Sequence, residues 1–212
     1  MPGLPLKNLH GLEKHKDSLV ALVVAGMKNL SQCEEVTSLT RLFQLHANEN
    51  VCVAGQIAKG RSEIMVRMEL DHTGLNDISW IKNYPTVKTL NLEFNDIRDL
   101  RNLGDLDQLM VLTLSGNSHI ESFEPIGQIN SLLSLRAHAT GLRDISFLRN
   151  LDNLTSVSIE QNQISDLRPL EGNSRLSEVF ADKNPLRHCP VDQGPDALKA
   201  FCQRYLREHA GS

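Results

Sequence analysis

The side chains best suited to chemistry in this chain are its eight histidines and four cysteines, and their spacing matches no recognisable active site. His10 and His15 are five residues apart, which does not place two side chains on one face of a helix. His138 has Arg136 and Glu160 at nearby pattern positions, but such a group is expected by chance on a polar sheet. No hydrolase, nucleotide-binding or metalloprotease motif occurs. The sequence therefore predicts no catalytic residue, no cofactor and no metal site.

The cysteines are Cys33, Cys52, Cys189 and Cys202. They form no CxxC pair and no zinc-finger spacing, and Cys52 has no evident base that would activate it as a nucleophile. The clustered cysteines that staple many extracellular domains are absent, so we interpret these as unpaired thiols in a reducing compartment, the cytoplasm. A Cys189–Cys202 bridge is the alternative interpretation, as is a secreted or translocated effector for the location.

Charge and hydropathy limit the kinds of partner. The net charge is −4, and residues 65–189 hold seventeen Asp and Glu against twelve Lys and Arg. A surface of that sign repels phosphate, so we expect no nucleic-acid partner. The most apolar stretch, LVALVVAG, has eight residues and is too short to span a bilayer. We interpret it as part of a core helix and predict a monomer that does not bind a membrane.

The elements that position these side chains come from a repeat between residues 65 and 190. Units of 22 or 23 residues share the pattern L-x-x-L-x-L-x-x-N-x-L and begin at Met65, Val87, Leu109, Leu132, Leu154 and Leu176. The L-x-L step has the period of a strand with one inward face. Stacking one strand per unit predicts a parallel sheet of about six repeats.

Polar letters also recur within the repeat. The N position holds Thr73, Asn95, Asn117, Thr140, Asn162 and Asn184. We predict that these side chains bond backbone groups where the chain leaves each strand. Asp77, Asp99, Asp144 and Asp166 follow four residues later and suit the start of a helical turn. The third repeat has one extra residue, in GNSHIESFEP, which predicts a local bulge.

Residues 1–64 are predicted to form a helical N-terminal cap. Asp17 can begin a helix over 18–30, and the capping-box letters Ser31 to Glu34 can begin a second that ends near residue 47. Residues 48–64 read as a strand or a decayed repeat. An alternative aligns Leu42, Leu45, Ala47 and Asn50 with a seventh unit.

Residues 191–212 are predicted to cap the other end. Pro195 suits the first turn of a helix, DALKAFCQRYLREH, whose apolar residues share one face.

The repeat resembles the 22-residue class of leucine-rich repeat, which includes the leucine-rich regulatory subunit of protein phosphatase 1, a dynein light chain and the bacterial internalins. The tail NPL…CP…GPDALKAF is similar to the ends of repeat blocks in bacterial and Roco-type proteins. The resemblance implies an α/β solenoid: a right-handed, curved stack with a parallel sheet on its concave face that binds other proteins. It favours a stand-alone bacterial member.

Specificity in such a stack must come from the letters between the leucines, which face solvent on the concave sheet. Acidic residues predominate there and would steer a basic partner, and Phe94 and Phe180 stand where the fold needs no apolar group. The predicted binding residues are Glu69, Asp71, Glu93, Phe94, Arg136, His138, Glu160, Phe180 and Asp182.

The sequence thus predicts a non-enzymatic module that binds a protein partner on this face, as an adaptor, an effector or an inhibitor. The alternative is an enzyme with an unrecognised activity in residues 1–64, for which the repeats select the substrate.

Overall fold

One sheet of eight parallel strands dominates the protein, seen here in a computed structural model that describes residues 7–210. Each strand pairs with the strands before and after it in the chain. The strands are β1 Ala21–Val23, β2 Gln44–His46, β3 Arg67–Glu69, β4 Thr89–Asn91, β5 Val111–Thr113, β6 Ser134–Arg136, β7 Ser156–Ser158 and β8 Glu178–Phe180. The predicted leucine-rich repeat solenoid is confirmed. Residues 1–6 and 211–212, parts of the two predicted caps, lie outside the described residues.

The core is a row of apolar side chains that runs through the whole stack. The middle residue of every strand is buried, and in register, so that Leu90 stands beside Leu112 and Leu112 beside Leu135. Each repeat adds further buried leucines before and after its strand, and all of them form one continuous cluster. A single repeat has nothing to cover its inner face, so each stabilises its neighbours.

The helices predicted for residues 18–30 and 31–47 are wrong. These segments hold β1 and β2, with a 3₁₀-helix at Glu34–Ser38. The leucines at 19 and 22, and at 39, 42 and 45, are three residues apart because they fill the L-x-x-L step of the repeat. The same spacing also fits one face of a helix. The stretch LVALVVAG accordingly contains an edge strand, not a core helix.

The stack therefore has eight repeats instead of about six, and its sheet runs without interruption across residues 64 and 65. The alternative alignment of Leu42, Leu45, Ala47 and Asn50 with a repeat is confirmed. Residues 48–64, which the sequence left between a strand and a decayed repeat, contain a short helix, α1 Val51–Ile57. Asn50 caps it by accepting a hydrogen bond from the Val53 N–H at 3.0 Å.

The predicted polar ladder is confirmed. The Asn162 side chain donates to the carbonyls of Ala137 and Ile159 at 2.8 and 2.9 Å and accepts from the N–H groups of Thr140 and Leu142 at 3.0 and 3.1 Å. One side chain thereby satisfies backbone groups in two repeats. The ladder reaches back to Asn50, whose amide lies 3.3 Å from the Met27 carbonyl.

The aspartates also have their predicted role. Asp77, Asp99, Asp144 and Asp166 each accept a hydrogen bond from the N–H two residues later, at 2.7 to 2.9 Å. Each bond lies at the start of a 3₁₀-helix opposite the sheet: Ser79–Asn83, Arg101–Leu103, Ser146–Asn150 and Arg168–Leu170. Side-chain hydrogen bonds from Arg101, Ser146 and Arg168 hold the pKa values of their aspartates below the usual range. The remaining 3₁₀-helices are Leu12–His15 and Glu124–Gln128.

The inserted residue in the third repeat leaves the sheet intact. Leu112 and Leu135 are paired in the ordinary register although they are 23 residues apart. The extra length is taken up after the strand, where His119 extends to Asp96 with 2.5 Å between Nδ1 and the carboxylate.

The C-terminal end of the sheet is covered by α2 Asp196–His209, as predicted. Leu198 and Phe201 are buried against the last repeat, and the Tyr205 hydroxyl donates to the Asn184 carbonyl at 2.9 Å. Pro195 precedes the helix as its N-cap residue and is not in its first turn. Among the described residues, neither α1 nor α2 is long and apolar enough to cross a membrane.

The interpretation of the cysteines as unpaired thiols is wrong. Cys33 is bonded to Cys52 and Cys189 to Cys202. The first bond joins the turn of the first repeat to α1, and the second joins the last turn to α2, so each end of the stack has one. The alternative interpretation of a Cys189–Cys202 bridge is confirmed. The Cys33–Cys52 bond was missed because only the repeat geometry, which was not recognised in these two units, brings its residues together.

Candidate protein-binding surface

The solvent side of the sheet, the concave face, has the same backbone shape in every repeat. Two residues after the second leucine of each L-x-L step, the chain adopts a left-handed conformation, with φ between 52° and 75°. Eight residues occupy this position: Gly26, Glu49, His72, Phe94, Gly116, Ala139, Gln161 and Lys183. In the first seven repeats this residue's N–H donates to the next repeat, as Phe94 does to Ser115 at 2.8 Å. That bond offsets the cost of a conformation that non-glycine residues avoid.

Phe94 forms an aromatic platform near the middle of the face. Its ring is stacked on His72, with 4.5 Å between centroids and 25° between planes. On the other side it lies over Gly116, where a Cβ would come within 2.5 Å of the ring. Half of the Phe94 side-chain surface is nevertheless exposed. The ring is thus fixed by its neighbours and still open to a partner.

The acidic residues near the platform differ in how far they are satisfied. Glu69 is buried, with 2.8 Å between its carboxylate and Arg67 Nε. Asp71 accepts hydrogen bonds from the amides of Asn48 and Asn91. Glu93 beside it is half-buried. Glu69 is therefore neutralised by a cation, whereas Asp71 contacts two amides and, at 3.0 Å, the Nδ1 atom of His72, with no Lys or Arg of the described residues within salt-bridge distance.

The C-terminal part of the face is built differently. Phe180 is 46 % exposed on β8. Asp182 forms a two-pronged ion pair with Arg204 of α2, at 3.0 Å for each bond. Asp182 therefore helps to hold the capping helix, a contact that the sequence did not indicate. Phe94 and Phe180 are four strands apart, about 19 Å at normal strand spacing, so they do not form one cluster.

The remaining predicted residues lie between these two regions. Arg136 is exposed at the end of β6, and His138 is half-buried two residues later. The Glu160 carboxylate accepts a hydrogen bond from the Ser158 hydroxyl at 2.6 Å. All nine predicted binding residues thus belong to one face, but they are spread along it from β3 to the turn after β8. Within the described residues, no cluster of His, Cys, Asp or Glu is placed to hold a metal ion.

Sequence reasoning missed an apolar row that borders the face where the strands begin. In five of the first six repeats, the residue directly before the strand is apolar. These residues are Val20, Phe43, Val66, Met110 and Leu133. The signal was present in the sequence, since these residues follow the first leucine of each unit. It was hidden because the first two units were interpreted as helices.

Comparison with known proteins agrees with this fold. No family model matches the chain. Internalin C2 of Listeria monocytogenes is similar in structure, with a TM-score of 0.70 and 23 % identity over 82 % of this chain and 76 % of that one. A leucine-rich repeat protein of Leptospira interrogans gives a TM-score of 0.66 and 19 % identity over 88 % of this chain and 55 % of that one.

In sequence, the chain is 29 % identical over 119 residues to leucine-rich repeat-containing G-protein coupled receptor 4 of Xenopus tropicalis. That match covers 54 % of this chain and 12 % of the receptor. The chain is a leucine-rich repeat protein whose structural neighbours include bacterial internalins, and the likeness at these identities shows the fold alone.

Proposed function

We propose that this protein is a non-enzymatic module that binds a protein partner on its concave face. The observation that carries the proposal is the Phe94 platform. A half-exposed aromatic ring is costly to keep in water, and here it also stands on a left-handed backbone. Rigid, exposed aromatic side chains are frequent centres of binding energy in interfaces. Segments 18–47 form parts of two further repeats of the stack, which favours the binding role over a separate catalytic domain in the described part of the N-terminal region.

The charge of the face favours a partner with a basic surface. In residues 7–210, no Lys or Arg lies within salt-bridge distance of Asp71, Glu93 or Glu160. These carboxylates therefore keep a negative field over the face, which speeds encounter with a cationic surface and weakens as salt is added. An adaptor, an effector or an inhibitor would all use the face in this way.

The two disulfides favour an oxidising compartment as the place of action, in preference to the cytoplasm. Secretion as an effector accommodates both the bonds and the proposed binding role. Counting free thiols in protein isolated from its native source under alkylating conditions checks this. Four free thiols would contradict it.

The binding proposal is tested by capturing partners from the native source and measuring how variants bind the captured protein. Phe94→Ala should weaken binding by about tenfold or more, as expected for a central aromatic. Leu206→Ala is the matched control, because Leu206 is similarly exposed, at 47 %, but lies on α2. Phe180→Ala reports separately on the C-terminal part of the face.

Each variant is first checked for an unchanged melting temperature, because only a folded protein reports on binding. If Phe94→Ala and Phe180→Ala both bind as tightly as the wild type, the concave face is not the binding surface. Equal losses for Leu206→Ala and Phe94→Ala would also contradict the proposal.

A further inference from the structure

The residues of the apolar row lie side by side on neighbouring strands, in two parts separated by Lys88. The Phe43 N–H donates to the Val20 carbonyl at 2.8 Å, and the Val66 N–H donates to the Phe43 carbonyl at the same distance. Met110 and Leu133 are joined in the same way at 2.8 Å. Val20, Phe43 and Met110 are 58 %, 45 % and 36 % exposed. Contiguous exposed apolar side chains of this kind mark interaction surfaces.

The length of the row suits a helix that lies across the strands. Val20 and Leu133 are separated by five strand spacings, about 24 Å at 4.8 Å each. An α-helix of about sixteen residues, or four turns, has that length at 1.5 Å per residue. Lys88 interrupts the row at the fourth strand, so the partner's apolar stripe should contain a polar residue near its middle.

Two acidic residues of adjacent repeats, the third and the fourth, lie on the concave side of the row. Asp71 lies five residues beyond Val66, and Glu93 lies five beyond Lys88. Five residues of extended chain span about 16 Å. A helix with its side chains is about 10 to 12 Å wide. An extended Lys or Arg on its flank spans the rest of the distance between the row and the carboxylates. The row and the carboxylates therefore complement one apolar and one basic side of the same helix.

A second copy of this chain does not supply that helix. The two α-helices of the described residues are α1, with seven residues, and α2, whose Leu198, Phe201 and Tyr205 are buried against its own stack. Neither offers a free apolar stripe four turns long. Because neither described helix fits, the proposal commits to a helix of another protein as the occupant.

We propose that the concave face binds an amphipathic α-helix of a partner protein, about four turns long. Its apolar stripe lies on the row from Val20 to Leu133, and its Lys and Arg flank meets Asp71 and Glu93. This rests on the proposed function and names the shape and chemistry of the partner. It also places the centre of binding in the first six repeats, which contain the row, the Phe94 platform and the two carboxylates.

The test uses synthetic peptides and the full chain with its disulfides intact. The probe is a fluorescein-labelled 18-residue peptide with leucines at i, i+3, i+4 and i+7 and lysines along one flank. One comparison peptide has the same composition in shuffled order, and another has glutamate in place of every lysine. Fluorescence anisotropy should show binding of the probe that is about tenfold or more tighter than that of either comparison peptide.

Variants then locate the binding. Phe43→Ser combined with Met110→Ser should weaken probe binding about tenfold or more, whereas Leu206→Ser leaves it unchanged. Glu93→Gln should weaken binding at low salt and flatten its dependence on ionic strength. Equal binding of the shuffled peptide, no binding of the probe, or an unaffected Phe43/Met110 double variant would each overturn the proposal. So would self-association in sedimentation that the double variant abolishes, since a second copy would then cover the row.

The captured natural partner separates this proposal from the broader one. If Phe94→Ala abolishes capture and the Phe43/Met110 variant does not, the helix proposal is wrong and concave-face binding stands. If Phe94→Ala, Phe180→Ala and the Phe43/Met110 variant all leave capture unchanged, both proposals are wrong.

Discussion

Asn117 shows how much a single ladder residue holds together. It is fully buried, its amide donates to the carbonyls of Leu92 and Leu114, and its carbonyl accepts from the Ile97 N–H. Asn117→Ala removes all three bonds, but the Leu92 carbonyl keeps a bond from the Asn95 amide and the Leu114 carbonyl keeps one from the N–H of residue 117, so the Ile97 N–H alone of the three loses its partner. An unsatisfied buried group costs about 1–3 kcal/mol and a lost hydrogen bond about 1 kcal/mol, so we expect the free energy of unfolding to fall by about 2 kcal/mol or more in urea titrations. Asn150→Ala, at an exposed turn residue, should change it by under about 0.5 kcal/mol. Similar losses for both would contradict the role of the ladder.

Gly116 is the residue that leaves room for the Phe94 ring. Gly116→Ala adds a Cβ within 2.5 Å of that ring and so must displace it. Gly26→Ala is a matched control, since Gly26 has the same backbone position, with φ 71° against 75°, and a Cβ there meets nothing within 4 Å. Both variants should lose about 1 kcal/mol from the left-handed backbone. Only Gly116→Ala should shift the NMR signals of His72 and Phe94 and weaken partner binding.

His10 makes the first turn of the stack sensitive to pH. Its hydrogen bond to Glu35, with 2.5 Å between Nδ1 and the carboxylate, raises the pKa of His10 above its ordinary value near 6.5. A raised pKa in the folded state means that the pair stabilises fully below about pH 6.5 and that this stability is lost as pH rises through the folded pKa. Unfolding followed between pH 5.5 and 9 should show the decline. His10→Gln should remove it and His15→Gln should not; a decline that survives His10→Gln would refute the assignment.

The elements of the stack were predictable only where the repeat letters are strong. From Met65 onward the Leu and Asn positions specify both the strand and the ladder, and the structure has both. In the first repeat Met27 stands at the Asn position, and in the second Ala47 replaces a leucine. Apart from Asn50, the three-residue leucine spacing was the remaining signal there, and a helix has the same spacing. The concave residues could be enumerated from the pattern. The pairing of Asp182 with Arg204 and of Phe94 with Gly116 depends on packing between repeats and could not.

The capping helix depends on its disulfide. Cys189 and Cys202 are 13 residues apart, and closing a loop of about that size stabilises a folded domain by about 3 kcal/mol. We expect the variant Cys189→Ala with Cys202→Ala to lose about 2–4 kcal/mol of unfolding free energy, and hydrogen exchange over 196–209 to quicken first. Wild-type protein in reductant provides the comparison. If α2 exchanges as slowly in the variant as in the oxidised wild type, Arg204 and the buried face of α2 hold it without the bond.

The whole molecule is a line of repeats in which each contacts only its neighbours, and this decides how it responds to damage. Leu112 is fully buried in β5, and Leu22 is 8 % exposed in β1, the edge strand. Replacing a buried leucine by alanine costs about 2–5 kcal/mol. At the centre this weakens the contacts on both sides, whereas at the end it weakens the contact with one neighbour.

Leu112→Ala should therefore lower the cooperative unfolding free energy by about 3 kcal/mol and quicken hydrogen exchange from β4 to β7. Leu22→Ala should quicken exchange mainly in residues 20–47 and leave β5 to β8 protected. The Cys33–Cys52 bond joins the first two repeats, so reducing agent should extend the fraying of the Leu22 variant as far as α1. If Leu22→Ala quickens exchange in β8 as much as in β1, the stack unfolds as one unit. The local stability of the apolar row and of the Phe94 platform would then depend on all the repeats, and not mainly on the repeats beside them.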